Sequence, residues 1–503
     1  MFFCTVKISL EIANIHLDSY IDLPVTSLHS WCMNARRHAV RLFPFLLYMM
    51  YVFITPPLVD DLWWRLHSGQ TILQQGSIVD TNEWAYRDAG RKWVNHAAGY
   101  DVLLAAIKRL GGMPGVLFPH FLAVFFLGAQ LLRPTQRQDF AWALFGVPLL
   151  VIHYATRPFL ISDVFLYFSV MAAVQAHDQN TLRLHNLWPS YLLFWLWGWL
   201  HGSVWVGTAL FLLLGVRWQQ IWKKPHSEIR RSAPLALIFP CALANPAFLS
   251  GLHLAWQYAM GDIPWLTSLT EWQGPQPLVF FFMGAWCASI MLAWKQRKLP
   301  LGRLVPLTIL LPSAMTQIRH MPLPVIAVGA MFLKLHPIAF FGPKAVPRQK
   351  TLFFMLILIT GFAASLVHAR HLQDPRFVPI GLYHEMIQRC DLEGKKLRIF
   401  TLHAWGGSLL YHFGGHLQPY MDARNDCFSQ ETFDRYHDII NLRGHWYEKI
   451  MQDHPDGAVL PSTHPLIPEL LRRGWVSGVR WRYNHFLTAP HWGHTLCPLR
   501  VFE

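Results

Sequence analysis

Charged residues are scarce in this chain: they make up 14% of its 503 residues, against 53% hydrophobic ones. A soluble protein of this length needs more charge to cover its surface, so the composition points to an integral membrane protein. No C-x-x-C pair occurs among the seven cysteines at 4, 32, 241, 287, 390, 427 and 497, which leaves a zinc or thioredoxin-like centre without support. No His-Glu-x-x-His motif occurs among the 27 histidines, so a divalent metal is unsupported as well. Low-complexity tracts and repeats of fixed period are also missing. The first strongly apolar run is not followed by a small-residue cleavage site, which favours an uncleaved first helix over a signal peptide.

Apolar runs and aromatics are what the chain has in abundance, with 23 Trp and 34 Phe. Runs approaching the roughly 20 residues needed to cross a bilayer fall near 42–59, 113–132, 140–156, 159–176, 187–201, 202–217, 233–249, 278–294, 303–318, 321–335 and 351–368. The expected fold is therefore mainly α, a polytopic transmembrane bundle of about eleven spans. The net charge of +14 does not indicate nucleic acid, because the basic residues stand in short clusters between apolar runs. Those clusters, from Arg36, Arg37 and Arg41 through Arg133, Arg183, Arg217 to Arg231, Lys295 to Arg303 and Lys334 to Lys350, fall on one side when the spans are threaded. The positive-inside rule makes that side cytoplasmic and the N-terminus cytoplasmic with it.

Residues 1–33 are mildly polar and are expected to be a dispensable extension. A membrane domain is expected over 34–368, with an outer loop at 60–112. From 369 to 503 no stretch can span a membrane. Leu397 to Leu402 and Leu417 to Met421 alternate like strands, and Ala458 to Leu460 followed by Pro465 to Arg473 reads as strand then helix. This is expected to be a small extracytoplasmic α/β domain. In an oxidising compartment, a disulfide among Cys390, Cys427 and Cys497 would leave one cysteine over.

The 60–101 loop concentrates Asp60, Asp61, Asp80, Glu83 and Asp101 with Trp63, Trp64, Trp84 and Trp93 beside an apolar run. Carboxylates at a membrane surface are costly and tend to have a function. Threading brings Asp61, Arg157-Pro158, His201-Gly202, Asn245-Pro246, Glu271-Trp272 and Arg319-His320 to the same outer face, which argues for one polar site. Blander roles are open to each. Asp60 or Asp61 suits a helix N-cap, Asp80-Thr81-Asn82-Glu83 has the form of a capping box, and the tryptophans suit an interfacial belt. His96 and His201 suit hydrogen-bonded fillers. Arg157 and Arg319 are ordinary interface charges or, in an acidic site, binders of a phosphate.

The order of Asp60-Asp61-Leu62-Trp63-Trp64-Arg65-Leu66-His67-Ser68-Gly69, Gly76 to Tyr86, Trp93-Val94-Asn95-His96, Arg157-Pro158, His201-Gly202, Asn245-Pro246, Glu271-Trp272 and Met421-Asp422-Ala423-Arg424 resembles the GT-C superfamily of integral-membrane glycosyltransferases. It is similar in particular to the bacterial branch related to protein mannosyltransferases and lipid A sugar transferases. The resemblance implies an inverting transfer of a sugar from a polyprenyl-phosphate donor to a lipid, glycan or protein acceptor at the outer face of a bacterial cytoplasmic membrane.

It also implies a base in the first outer loop, Asp61 or its rival Asp60, with Glu271 assisting. Arg157 and Arg319 would take the donor phosphate, and Asp80, Trp93, His96, His201 and Asn245 would line the substrate pocket. Where the family often has Asp-Glu this chain has Asp-Asp, which leaves open which of the two corresponds. The alternative reading is a non-catalytic transporter, flippase or envelope-assembly factor on a similar scaffold. Such a protein would place charges in mid-span, whereas here they stand at span ends.

Overall fold

The computed structural model describes residues 25–57, 61–132, 139–260, 263, 269–297, 304–332, 347–372, 378–392, 394–493 and 495–497. Helices dominate it. Among the described residues, Ala98–Leu131, Pro158–Asp178 and Pro277–Gln296 are long and apolar enough to cross a membrane. A fourth span appears if the pair Pro225–Leu243 and Phe248–Tyr258, bent by 96°, counts as one.

The expected count of about eleven is thus not supported. Several of the remaining runs give short apolar helices, such as Val204–Gly215 and Val305–Thr316, while the first and last runs fall in the longer helices Val25–Ile54 and Pro347–His371. The cause is visible in the backbone. The 140–156 run tightens after Leu150 into a 3-10 turn at Val151–His153, and the 303–318 run ends at Thr316 before another turn at Ile318–His320. These turns cut the helices below the roughly 20 residues that a span needs, whereas prolines such as Pro148 and Pro312 stand inside them.

Without that count, the number of crossings does not say on which side the C-terminal region lies. The packing supplies a relation instead. Trp64, Val79, Trp84, Ala85 and Trp93 of the first loop share one buried cluster with Phe400, Tyr420, Leu460 and Leu487 of the C-terminal sheet. Tyr86 donates its backbone N–H to the Pro419 carbonyl at 3.1 Å, and Arg87 pairs with Asp453 at 2.8 Å. Loop and sheet therefore lie on the same side of the helical part. The tryptophans are not belt residues: each is at most 7% exposed, and Trp63 packs on Tyr411 and His412.

The sheet has five strands, β1 (Leu397–Thr401), β2 (Leu417–Pro419), β3 (Gly457–Pro461), β4 (Val476–Trp481) and β5 (Asn484–Thr488), in the order β2-β1-β3-β5-β4. β1 pairs in parallel with β2 and β3, while β5 runs antiparallel to β3 and β4. Side chains alternate between faces, as a strand's two-residue period requires. Phe400, Ala458 and Leu487 face the loop cluster, and Ile399, Val459 and Phe486 face a second cluster with Leu382 and Met386 of the Ile380–Arg389 helix. A disulfide joins Cys390 to Cys497, leaving Cys427 free and buried.

The Leu62–Gln75 helix stops at Gly76, whose left-handed φ of 70° places its N–H on the Ile72 carbonyl. It crosses the Ala98–Leu131 helix at Gly69, where a Cβ would stand 2.0 Å from the Asp101 carbonyl oxygen. A methyl group there forces the helices apart, while at Gly76 it meets nothing within 4 Å. Gly69→Ala is therefore expected to cost about 2–3 kcal/mol or more and Gly76→Ala about 1 kcal/mol. Thermal unfolding of the two variants in detergent checks the order.

Candidate functional site

The ends of several elements meet around a cavity of about 650 Å³. Asp61 enters from the start of the Leu62–Gln75 helix, and Arg157 from the residue before Pro158, whose fixed φ starts the next helix. His201 sits in the turn between the Leu184–Leu200 and Val204–Gly215 helices. Glu271 and Arg319 sit in the 3-10 turns Thr270–Trp272 and Ile318–His320. Trp93 and His96 come from the loop, and Ala423 to Asp426 come from the C-terminal region just after β2. Trp205, Leu210, Leu254, Ala255, Ile309 and Leu310 line the rest, so one part of the cavity is charged and another apolar.

The charged part is an alternating chain. Asp61 Oδ2 lies 3.1 Å from Arg157 Nε, Arg157 Nη1 donates to Glu271 Oε2, and Arg319 Nη1 approaches Glu271 Oε1 at 3.4 Å. The Arg319 guanidinium also covers the Trp272 ring, 4.1 Å from its centre. Burial by itself would raise the Glu271 carboxyl, but Arg157 and Arg319 outweigh it and hold the group at about 2. Glu271 therefore stays ionised throughout the physiological range. Asp61 occupies the N-cap position yet makes no side-chain cap hydrogen bond; its carboxylate is turned to Arg157 and, at 3.5 Å, to Trp64 Nε1.

His96 and His201 face each other with ring centres 5.7 Å apart. Burial, reinforced by Arg65, lowers His96 to about 3, and burial with His96 as neighbour lowers His201 well below its ordinary value. Both rings are neutral at pH 7. His201 Nδ1 is bonded to Ser203 Oγ at 2.8 Å. Among the described residues, no group of three or more His, Cys, Asp or Glu is placed to hold a metal.

Two expected pocket residues stand elsewhere. Asp80 is exposed and does not line the cavity. Its segment is no capping box, since no helix follows; Asn82 instead organises the turn, donating to the carbonyls of Arg87 and Asp88. Asn245 braces the bend of the broken helix pair, its Nδ2 donating to the Ala242 carbonyl and its Oδ1 accepting from the Ala247 N–H. Asp60 lies outside the described residues. Asp101 is fully buried and committed to Arg65 at 2.9 Å and Asn95 at 2.9 Å, a scaffold role.

Sequence reading missed other residues. Arg65 lines the cavity. His153 bridges Asp163 Oδ2 and the Arg319 carbonyl, each at 2.6 Å, and so fixes the turn that presents Arg319. The signal for that bridge was an Asp and a His inside apolar runs. Asp426 lies in a polar loop where nothing local marks it. Arg424 is buried, bonded to Asp422 and to Asn82 Oδ1, and packed against the rings of Trp84 and Trp93.

No protein family matches the chain, and no curated protein matches its sequence. Among solved structures, the apo crystal structure of the Archaeoglobus fulgidus oligosaccharyltransferase is similar over 84% of this chain and 69% of its own, with 9% identity and a TM-score of 0.44. A likeness at that level assigns neither family nor activity.

Proposed function

We propose that this chain is an inverting membrane glycosyltransferase that moves a sugar from a polyprenyl-phosphate donor to an acceptor at the outer face of the cytoplasmic membrane. The observation that carries the reading is the two-part character of the cavity. Four guanidinium groups, of Arg65, Arg157, Arg319 and Arg424, and three carboxylates, of Asp61, Glu271 and Asp426, line one cavity together with an apolar wall. A lipid phosphate has the same division, with an anionic head that suits guanidinium groups and a hydrocarbon tail that suits the wall.

In the resting site Glu271 accepts from both Arg157 and Arg319. A donor phosphate would compete for those guanidinium groups, with Glu271 keeping the pair close together. The acceptor hydroxyl then attacks the anomeric carbon from the side opposite the phosphate. Its oxygen forms the new glycosidic bond, its proton passes to Asp61, and the anomeric carbon–oxygen bond to phosphate breaks with both electrons leaving on the lipid phosphate. Arg157 and Arg319 stabilise that charge as it develops. Glu271, committed to two arginines, is a positioning residue in this scheme. Trp93, His96 and His201 shape the pocket as neutral groups.

In a transfer assay with isolated membranes and a labelled polyprenyl-phosphate sugar, Asp61→Asn is expected to lower the rate about 10²–10⁴-fold, the usual contribution of a general base. Wild-type rates in both Asp61→Asn and Asp60→Asn would sink the mechanism. Arg319→Ala removes a charged hydrogen-bond donor worth about 1.5–3 kcal/mol, so the donor KM is expected to rise at least about tenfold. An unchanged donor KM in that variant would remove Arg319 from the phosphate site.

A further inference from the structure

The Ala423 to Asp426 segment reaches the cavity from the C-terminal region, away from the Asp61–Arg157–Glu271–Arg319 chain in sequence, and it carries two polar atoms the scheme above does not use. Asp426 Oδ1 accepts from Trp93 Nε1 at 3.3 Å, whereas among the described residues nothing donates to its buried Oδ2. Arg424 spends Nε and Nη2 on Asp422 and Asn82, while its buried Nη1 has no acceptor among the described residues. An unsatisfied acceptor and an unsatisfied donor, two residues apart in one loop, are costly unless a ligand uses them.

We infer that this loop is a second polar subsite of the cavity that takes a neutral, hydroxyl-bearing sugar ring, with Asp426 Oδ2 accepting from one hydroxyl and Arg424 Nη1 donating to an oxygen. A hydroxyl is both donor and acceptor, so adjacent hydroxyls on a ring serve both atoms at once. An ammonium group serves only the carboxylate, and Arg65 and Arg424, both lining the same cavity, repel it. Trp64 and Trp93 also line the cavity, and Trp93 holds Asp426 in place through its Nε1. On the transferase reading this loop holds the acceptor, and the inference rests on that reading only for the name of the ligand's role.

Burial pushes the Asp426 carboxyl up to about 6. The charged and titratable groups that act on it or feel it are Arg424 and Cys427 in its own loop, Arg65 on the Leu62–Gln75 helix and Tyr258 on the Phe248–Met260 helix. The carboxylate is the better acceptor, so binding is strongest above that pH and weakens as pH falls through it.

The test is saturation-transfer NMR on the purified full chain in detergent, with methyl pyranosides as probes and ethanolamine as the cationic comparison. The wild type is expected to bind a methyl pyranoside at millimolar concentration, more weakly below pH 6, and to show no saturable ethanolamine binding. Asp426→Asn is expected to weaken the pyranoside about tenfold or more, as befits a lost hydrogen bond to a charged group, and to flatten the pH profile. Equal pyranoside affinity in Asp426→Asn and wild type overturns the inference. So does a wild-type affinity independent of pH between 5 and 8, a measurement that needs no variant, or ethanolamine binding that depends on Asp426. Transfer that survives Asp61→Asn and Asp60→Asn alongside pyranoside binding lost in Asp426→Asn would remove the transferase mechanism and leave the subsite standing.

Discussion

A charge taken out of water must be paired, and this structure depends on one such pairing. The Arg424 guanidinium is almost wholly buried, bound to Asp422 and Asn82 and packed between Trp84 and Trp93. Asp422, two residues away, keeps the charge paired. The hydrogen bond from Arg424 to Asn82, worth about 1.5–3 kcal/mol for a charged donor, together with the packing on Trp84 and Trp93 fixes the first loop to the C-terminal region. That docking seats Trp93, which in turn bonds Asp426. It also fixes the Leu62–Gln75 helix, whose first turn presents Asp61 to the cavity. The second buried pair, Arg65 with Asp101, ties the same helix to the Ala98–Leu131 helix.

The cavity itself follows from how the helices end. Carboxylates and guanidinium groups are tolerated beside apolar segments at helix termini and in short turns, where backbone groups and water reach them. Asp61, Arg157, Glu271 and Arg319 all occupy such positions. They meet because the helices between them return the chain to the same cavity. The bent helix pair braced by Asn245 adds part of the apolar wall through Leu254 and Ala255. Polar chemistry and apolar surface are thereby joined in one space, with the C-terminal loop closing it from the other side. The His153 bridge from Asp163 to the Arg319 carbonyl makes the presentation of Arg319 a property of the helical core.

Composition and local pattern made the helical, membrane-type character of the chain legible, because scarcity of charge and long apolar runs are properties of neighbouring residues. Strands were legible at 397–402, from alternation, and at 417–421 and 458–460, close to the observed β1, β2 and β3, as was the start of the Leu62–Gln75 helix after Asp61. β4 and β5 escaped, since Ser477, Gly478, Arg480 and His485 blur the alternation and β5 is buried on both faces. The span count is not supported because hydropathy measures how apolar a run is, while turns such as Val151–His153 and Ile318–His320 decide how much of it stays helical.

For the site, the sequence by itself determined which residue types stand at the ends of the apolar runs, and so nominated Asp61, Arg157, Glu271 and Arg319. Only the tertiary structure decided that they form one alternating chain, that Asp80 is exposed and Asn245 a brace, and that the loop tryptophans are core. It alone brought Asp426 into the same cavity, from 365 residues beyond Asp61 in the chain. The physical reason is that pairing a charge is a relation between residues distant in sequence. A local pattern shows that a charge is costly where it stands, and only packing shows what relieves it.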